Sequence, residues 1–275
     1  MKLRLSSLVV LSAGLSYLLA VNSTTFSFFA FTILIIGGVL VTGASNGFNQ
    51  IIERDTDALM PRTKDRPMPN DRLSVIEALV WCTILGLGGI FLLWYFLNPL
   101  SGVLATLALL LYVIVYTPLK KISPWAVFVG AFPGAIPPML GWVAATGEFG
   151  LVPGVLFFVQ FVWQFPHFWS IGWLSHDAYK NAGFYLLPFK GGKVKNNALA
   201  TLILSALMIP TGALPAIIGV TGNISMIAAF ILGIWFTFKA LKFYASCEDK
   251  DARKLMFATF LYLPLIQIIY VLDKI

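Results

Sequence analysis

Long apolar runs alternate with short polar segments along the whole chain. A helix that crosses a bilayer needs roughly 20 mostly apolar residues. At this length in lipid the backbone must satisfy its own hydrogen bonds, so the runs predict helices and not strands. We therefore predict an all-α, polytopic membrane protein with a single domain over residues 1–275. The nine predicted transmembrane spans are residues 5–22, 25–48, 74–97, 100–117, 124–146, 152–174, 197–220, 223–243 and 255–272.

The composition agrees with the pattern of apolar runs. Hydrophobic residues make up 59% of the chain and charged residues 11%, whereas soluble chains carry roughly 25% charged residues. The chain has too little polar surface for a soluble fold, so the lipid bilayer is its expected environment. The net charge of +7 is explained by the excess of Lys and Arg that cytoplasmic loops of membrane proteins carry, so no nucleic acid partner is predicted.

The distribution of cations gives an independent test of the span count. If the loops are assigned to alternate sides, all of the 19 Lys and Arg residues except Lys274 fall on the side of the N-terminus. The positive-inside rule then places the N-terminus and the long polar loops in the cytoplasm, with the protein in the plasma (inner) membrane. Lys2 and Arg4 before the first apolar run are also typical of a signal peptide. The charge distribution does not separate these two interpretations of the first run.

The first long loop on the cytoplasmic side concentrates charge: ten charged residues lie between Asn49 and Arg72. Asn49, Glu53 and Asp57 are four residues apart, so on a helix they share one face. Each offers a hard oxygen ligand, and Mg²⁺ binds through one or two carboxylates together with substrate phosphates. Pro61 then ends the helix.

Cations follow this acidic face directly. Arg62, Lys64 and Arg66 carry donors suited to phosphate oxygens. An acidic helix face that could bind a metal ion, followed by donors for phosphate oxygens, predicts a site for a metal-bound diphosphate. The alternative is a solvated loop with surface ion pairs. Asp55 points off the acidic face and is predicted to pair with an arginine.

Two further loops on the same side carry polar groups of similar type. The segment "YTPLKK" contains Tyr116 and Lys120, and "SHDAYKNAGFYLLP" contains Asp177 and Lys180. Charged groups at the mouth of a helix bundle often only reach into solvent. Three such loops on one side favour a shared pocket.

His167 lies inside an apolar run. An ionisable residue within a membrane span is a functional candidate, and a neutral imidazole is a common metal ligand. The alternative is a hydrogen-bonded histidine that packs in the bundle.

Several ordered motifs resemble one known family. The pattern Asn-x₃-Glu-x₃-Asp from Asn49, with Arg-Thr-x-x-Arg-Pro after it, resembles the first aspartate-rich motif of the UbiA-type intramembrane prenyltransferases. Tyr-x₃-Lys from Tyr116 resembles their tyrosine–lysine motif. Asp-x₃-Asn from Asp177 lies where their second aspartate-rich motif falls. The chain departs from the commonest form of the first motif at Gln50 and Glu53, so the number of metal ions stays open.

Three longer stretches resemble the protoheme IX farnesyltransferase branch of that family: Tyr116 to Trp142, Gln164 to Trp173 and Tyr179 to Pro188. The resemblance covers nearly the whole chain. It implies nine helices around a central cavity that opens near the cytoplasmic face. It also implies Mg²⁺ as cofactor, and farnesyl diphosphate and heme as substrates. A heme A synthase or cytochrome oxidase assembly proteins are the partners it implies.

The resemblance also implies roles for the candidate residues. Mg²⁺ would be held by Asn49, Glu53, Asp57 and Asp177. The diphosphate would be held by Arg62, Arg66, Lys120 and Lys180, with Tyr116 beside them. His167 is the heme-binding candidate. Aromatic residues of the sixth span would shelter the farnesyl cation and the isoprenoid tail; they are Phe157, Phe158, Phe161, Trp163, Phe165, Phe168 and Trp169.

The implied reaction transfers the farnesyl group to a vinyl group of heme, with addition of water and release of diphosphate. One alternative is a member of the same family that uses a quinone precursor or a lipid-like alcohol as acceptor. Alternatives of a different class are a secondary transporter and a heme carrier. A transporter would place ionisable groups near the middle of the membrane, and a heme carrier would not need the acidic face that begins at Asn49.

Overall fold

The computed structural model describes residues 3–275, with side chains from Ser7 onward, so the side chains of Lys2 and Arg4 lie outside the described part. Within these residues the only strand-like feature is an isolated bridge between Thr221 and Lys274, so the all-α prediction is confirmed. The helices are α1 Leu3–Ala20, α2 Phe28–Ile52, α3 Arg54–Ala58, α4 Val75–Phe96, α5 Pro99–Leu110, a π-helix Leu111–Tyr116, α6 Thr117–Leu119, α7 Ala126–Thr146, α8 Leu151–Leu174, α9 His176–Asn181, α10 Lys195–Ile217, α11 Asn223–Ser246 and α12 Asp249–Leu272.

Eight helices among the described residues are long and apolar enough to cross a membrane. The first predicted span corresponds to α1, whose described side chains cover the shorter stretch Ser7–Ala20. The ends of the predicted spans agree with the helices to within a few residues. The exception is α12, which begins at Asp249 and not at residue 255 because its first turns are charged and project beyond the apolar stretch. The chain is therefore an integral membrane protein.

Local sequence signals fix where two of these helices begin. Ser74 caps α4 in a capping box: its hydroxyl accepts from the N–H of Glu77 at 3.2 Å, and the Glu77 carboxylate accepts from the N–H of Ser74 at 2.9 Å. Asn98 caps α5 by accepting from the N–H of Ser101 at 2.9 Å, and Pro99 supplies the first helical residue.

Helices α7 and α8 form the centre of the bundle. About 61% and 56% of their most apolar stretches are buried inside the protein, compared with 22% for α4. Helix α4 instead presents Ile76, Trp81 and Tyr95 at its surface. In an integral membrane protein this apolar rim faces lipid, which explains why the composition is so hydrophobic.

Three prolines lie inside α7, and Gln160 of α8 compensates for the missing N–H group of one of them. A proline at position 138 leaves the carbonyl of Gly134 without its helical donor. The Gln160 amide donates to that carbonyl at 2.7 Å. Gln267 of α12 donates to Gln160 at 3.2 Å and accepts from the Ser12 hydroxyl of α1 at 3.0 Å. A buried polar chain thus connects four helices through the middle of the bundle.

The fourth membrane segment, Pro99–Leu119, changes from α5 into a π-helix before it ends. Pro118 has no N–H to continue an α-helical ladder. One residue earlier, the N–H of Thr117 bonds to the carbonyl of Tyr112, which is five residues before it and not four as in an α-helix. Single π-turns inside α-helices are frequent at functional sites. Here the wide turn immediately precedes the tyrosine–lysine motif.

Candidate functional site

The acidic face predicted from the sequence lies where α2 continues into α3. The N–H of Glu53 bonds to the carbonyl of Asn49 at 3.0 Å, and the N–H of Asp57 bonds to the carbonyl of Glu53 at 2.7 Å. These bonds carry the helical register past the end of α2, so the three side chains share one face. All three are buried, with 1%, 4% and 1% of their surface exposed. Asp55 lies off this face, is exposed and pairs with Arg54, as expected for a surface pair.

Each buried carboxylate has a cationic partner. Asp57 Oδ2 pairs with Nη1 of Arg66, and Glu53 Oε1 pairs with Nζ of Lys120. The cations are also largely buried, with 14% and 10% of their side chains exposed. The cations predicted to hold phosphate therefore contact the carboxylates predicted to hold metal. The four charges balance, which lowers the cost of their burial.

Part of the acidic face is left without hydrogen-bond donors. Asp57 Oδ1 is buried without a hydrogen-bond partner, and the ion pair of Glu53 Oε1 lacks hydrogen-bond geometry. Leaving a buried acceptor unsatisfied costs about 1–3 kcal/mol, so such atoms call for an explanation. Hard carboxylate oxygens that lack donors fit a divalent cation.

The number of protein ligands favours Mg²⁺ bound together with its substrate. Among the residues that the structure describes, no group of three or more His, Cys, Asp or Glu residues is arranged to hold a metal ion. A full protein cage is therefore absent from this part of the chain. Mg²⁺ does not require one, because it keeps water ligands and binds substrate phosphates alongside one or two carboxylates.

Lys120 joins the second loop to the third. Its Nζ lies 4.9 Å from the ring centroid of Tyr116 and 5.4 Å from that of Phe184. Its carbonyl accepts from the N–H of Tyr185 at 2.9 Å. Gly130 of α7 is needed beside this group, because a Cβ there would lie 2.5 Å from the ring of Tyr116. The tyrosine–lysine motif is thus packed against α7 and against the loop after α9.

The first loop also meets the third. Nη2 of Arg62 donates to the hydroxyl of Tyr179 at 3.3 Å. Met60 packs in a buried apolar cluster with Ala182 and Phe184. The three polar loops therefore come together, as the sequence predicts.

Asp177 and Lys180 are the two candidates for the metal and diphosphate site that the structure does not bring into this cluster. Both are exposed on the short helix α9. Asp177 forms no metal-binding group with Glu53 and Asp57 among the described residues. The roles of Asp177 and Lys180 stay predictions.

Two threonines in the site were missed by sequence reasoning. Thr63 and Thr117 are each 1% exposed although they lie in charged loops. Thr63 donates to the carbonyl of Asp57 at 2.9 Å, and Thr117 accepts from the amide of Asn49 at 3.2 Å. A small β-branched residue inside each charged motif was the available signal.

His167 is buried between α8 and α12. Its ring stacks on Trp163, with centroids 4.8 Å apart, and meets the edge of Phe260 at 4.8 Å. Nδ1 lies 2.7 Å from the hydroxyl of Thr259, which itself donates to the carbonyl of Met256 at 2.5 Å. The hydroxyl has a single proton, so Nδ1 is the donor and Nε2 carries the lone pair. This geometry suits both a metal-facing imidazole and a packing histidine.

A ladder of aromatic rings runs between α7 and α8. Phe161 lies 5.0 Å from Phe132, 5.7 Å from Phe157 and 5.3 Å from Phe165, measured between ring centroids. Phe158, from the set predicted to shelter the isoprenoid, is 42% exposed. Aromatic side chains thus lie in contact with one another along the two central helices.

Comparison with known proteins gives consistent results. The UbiA prenyltransferase family profile matches residues 7–263. The chain is 43% identical over 274 residues to a protoheme IX farnesyltransferase of Cytophaga hutchinsonii, covering 100% of this chain and 96% of that protein. It is 46% identical over 272 residues to a protoheme IX farnesyltransferase of Flavobacterium johnsoniae, covering 97% and 90% of the two chains.

Solved structures share the fold at low sequence identity. A digeranylgeranylglyceryl phosphate synthase superposes with a TM-score of 0.76 at 18% identity, covering 96% of this chain and 92% of that one. A UbiA homologue from Aeropyrum pernix K1 gives 0.75 at 19% identity, covering 97% of each chain. A homologue from Archaeoglobus fulgidus, bound to GPP and Mg²⁺, gives 0.74 at 15% identity, covering 98% and 97%.

Proposed function

The chain belongs to the UbiA prenyltransferase family, and we propose that it transfers the farnesyl group of farnesyl diphosphate to a vinyl group of protoheme IX. Water adds in the same reaction, and diphosphate leaves. The observation that carries the proposal is the buried acidic face of Glu53 and Asp57, which meets the two cations Lys120 and Arg66 where three loops converge. The relatives named protoheme IX farnesyltransferase support heme as the acceptor.

The residues of the chain would hold the diphosphate in a fixed orientation. Glu53 and Asp57, with Asn49 beside them, would hold Mg²⁺. Bound there, Mg²⁺ would neutralise the diphosphate and so make it a better leaving group. Arg66 and Lys120 form ion pairs with the carboxylates of Asp57 and Glu53. They would also donate to the phosphate oxygens that the metal ion does not bind. Donors fixed before the reaction lower the cost of the charge that develops on the leaving group.

Other candidates lie around this centre. Arg62 is exposed at the loop junction, where it would add a further phosphate donor. The ring of Tyr116 lies under the Lys120 ammonium and limits its position. Asp177 and Lys180 would have to move from their exposed positions on α9 to reach a second metal or the diphosphate.

The membrane orientation completes the proposal. The cation-rich loops predict a cytoplasmic site in the plasma (inner) membrane. Farnesyl diphosphate would reach it with its charged end in the aqueous loops and its tail between the helices. A heme A synthase or a cytochrome oxidase assembly protein as partner stays a prediction.

The product itself tests the proposed function. Membranes that contain the protein are incubated with heme, Mg²⁺ and farnesyl diphosphate, and the molecular mass of the porphyrin product is measured by mass spectrometry. We expect a gain of mass equal to one farnesyl group plus one hydroxyl group, since the proton of the added water is released with the diphosphate. An unchanged porphyrin, with farnesyl transferred to an added quinone precursor or lipid alcohol, would instead identify the alternative acceptor class.

His167 is proposed as a heme contact through Nε2. We expect His167→Ala to weaken heme binding by about tenfold while farnesyl diphosphate binding changes little, because the ring lies between α8 and α12, away from the acidic face. Heme affinity is measured from the Soret absorbance of the purified protein. His176→Ala is the control, since His176 lies at the start of α9. Equal losses of both ligands, or no loss, would contradict the heme contact.

A further inference from the structure

Thr117 stands between the π-helix and the acidic face. Its hydroxyl contacts two groups: the carbonyl of Tyr112 at 2.8 Å and the amide nitrogen of Asn49 at 3.2 Å. Both Thr117 and Asn49 are 1% exposed, so water does not compete for these bonds. The π-turn is the reason for this placement, since the same carbonyl of Tyr112 accepts from the N–H of Thr117.

The donor and acceptor roles at Thr117 follow from elementary chemistry. A carbonyl oxygen cannot donate, so the only proton of the Thr117 hydroxyl is used on Tyr112. The hydroxyl can then only accept from Asn49. The group of Asn49 that faces Thr117 is therefore its NH₂, and its Oδ1 points the other way.

The orientation of this amide matters for a cation. The oxygen of Asn49 is a hard ligand, whereas its NH₂ group carries two positively polarised hydrogens and repels a metal ion. A free asparagine could present either end. With Thr117 in place, only the oxygen is left for the face that Asn49 shares with Glu53 and Asp57.

We propose that Thr117 is a positioning residue that fixes the Asn49 amide so that its oxygen serves the metal–diphosphate complex. The inference rests on the proposed function and deepens it, because it assigns a role to a residue that itself touches neither ligand. The π-turn before the tyrosine–lysine motif thus has a purpose: it aims one hydroxyl at the acidic face of the neighbouring helix.

Binding of Mn²⁺ with inorganic diphosphate tests this role without turnover. The purified full-length protein is titrated with Mn²⁺ and followed by electron paramagnetic resonance. Thr117→Val removes the hydroxyl and keeps the shape, and we expect Mn²⁺ affinity to fall by about tenfold or more, as for other residues that orient a metal ligand. Thr117→Ser keeps the hydroxyl and is expected to stay within about twofold of the parent.

Asn49→Asp provides the diagnostic background. Both ends of an aspartate are oxygens, so its orientation no longer matters, and Thr117→Val is expected to cost less than about threefold there. A merely structural role of Thr117 would give the same loss in both backgrounds, and that result would overturn the proposal. Unchanged affinity in Thr117→Val alone would overturn it too. Should Thr117→Val fail to fold, Thr117→Ala is compared in the same two backgrounds.

Asn49→Ala separates this inference from the proposed function. If Asn49→Ala weakens Mn²⁺ binding and Thr117→Val does not, the metal site stands and the positioning role fails. If Asn49→Ala also binds Mn²⁺ as the parent does, Asn49 is not a ligand, and the proposed metal site itself is wrong at this position.

Discussion

Asp57→Ala is expected to lower turnover by about 10³-fold while the protein still inserts into the membrane, because it removes a buried group that stabilises the leaving diphosphate. The loss is large for two reasons. Oδ1 of Asp57 is buried without a hydrogen-bond partner and is therefore open to a metal ion, and Oδ2 pairs with Arg66. Product formation is measured by mass spectrometry in membranes, and insertion is checked by immunoblot. Glu53→Ala is expected to behave alike.

Asp55→Ala is the matched control for this experiment. Asp55 lies two residues from Asp57 and carries the same charge, but it is exposed and pairs only with Arg54 at the surface. An exposed pair contributes at most about 1 kcal/mol, so activity is expected to stay within about twofold. Substantial activity in Asp57→Ala, or an equal loss in Asp55→Ala, would remove the basis for the metal assignment.

Lys120→Met is expected to affect both folding and catalysis. It leaves the carboxylate of Glu53 buried without its cation, and breaking a buried ion pair in this way costs about 3–5 kcal/mol. It also removes a predicted phosphate donor. The temperature of unfolding in detergent should fall, and the KM for farnesyl diphosphate should rise.

The neighbouring lysine and the pair partner separate these two effects. Lys121→Met removes an exposed cation and is expected to change neither quantity. The double variant Lys120→Met with Glu53→Gln should recover much of the stability, because no buried charge is left alone, but it should not recover activity. If Lys120→Met and Lys121→Met behave alike, the ion pair has no role in stability or binding.

The spans and the acidic face were predictable because both depend on periodicity along the chain. An apolar run of sufficient length has one stable conformation in lipid. The spacing of Asn49, Glu53 and Asp57 places them on one face in any helix, provided that the helix continues past the end of the span. The structure shows that it does, through the bonds from Glu53 to Asn49 and from Asp57 to Glu53.

The partners of these residues were not predictable in the same way. That Lys120 pairs with Glu53, and Arg66 with Asp57, depends on how separate loops pack. The exposure of Asp177 also depends on packing, since its spacing from Asn181 is the same whether α9 faces the site or solvent. The role of Thr117 required the π-turn, and a local departure from the α-helix leaves little trace in the sequence beyond Pro118.

The proline and glutamine pair at the centre of the bundle has an evolutionary consequence. The amide of Gln160 is useful at its position because Pro138 leaves the carbonyl of Gly134 without a donor. Without the glutamine, the proline would leave a carbonyl in the middle of the bundle without a donor, and without the proline the Gln160 amide would compete with a helical N–H for the same carbonyl. Each residue is therefore favourable only when the other is present, and we expect the two positions to covary among related sequences.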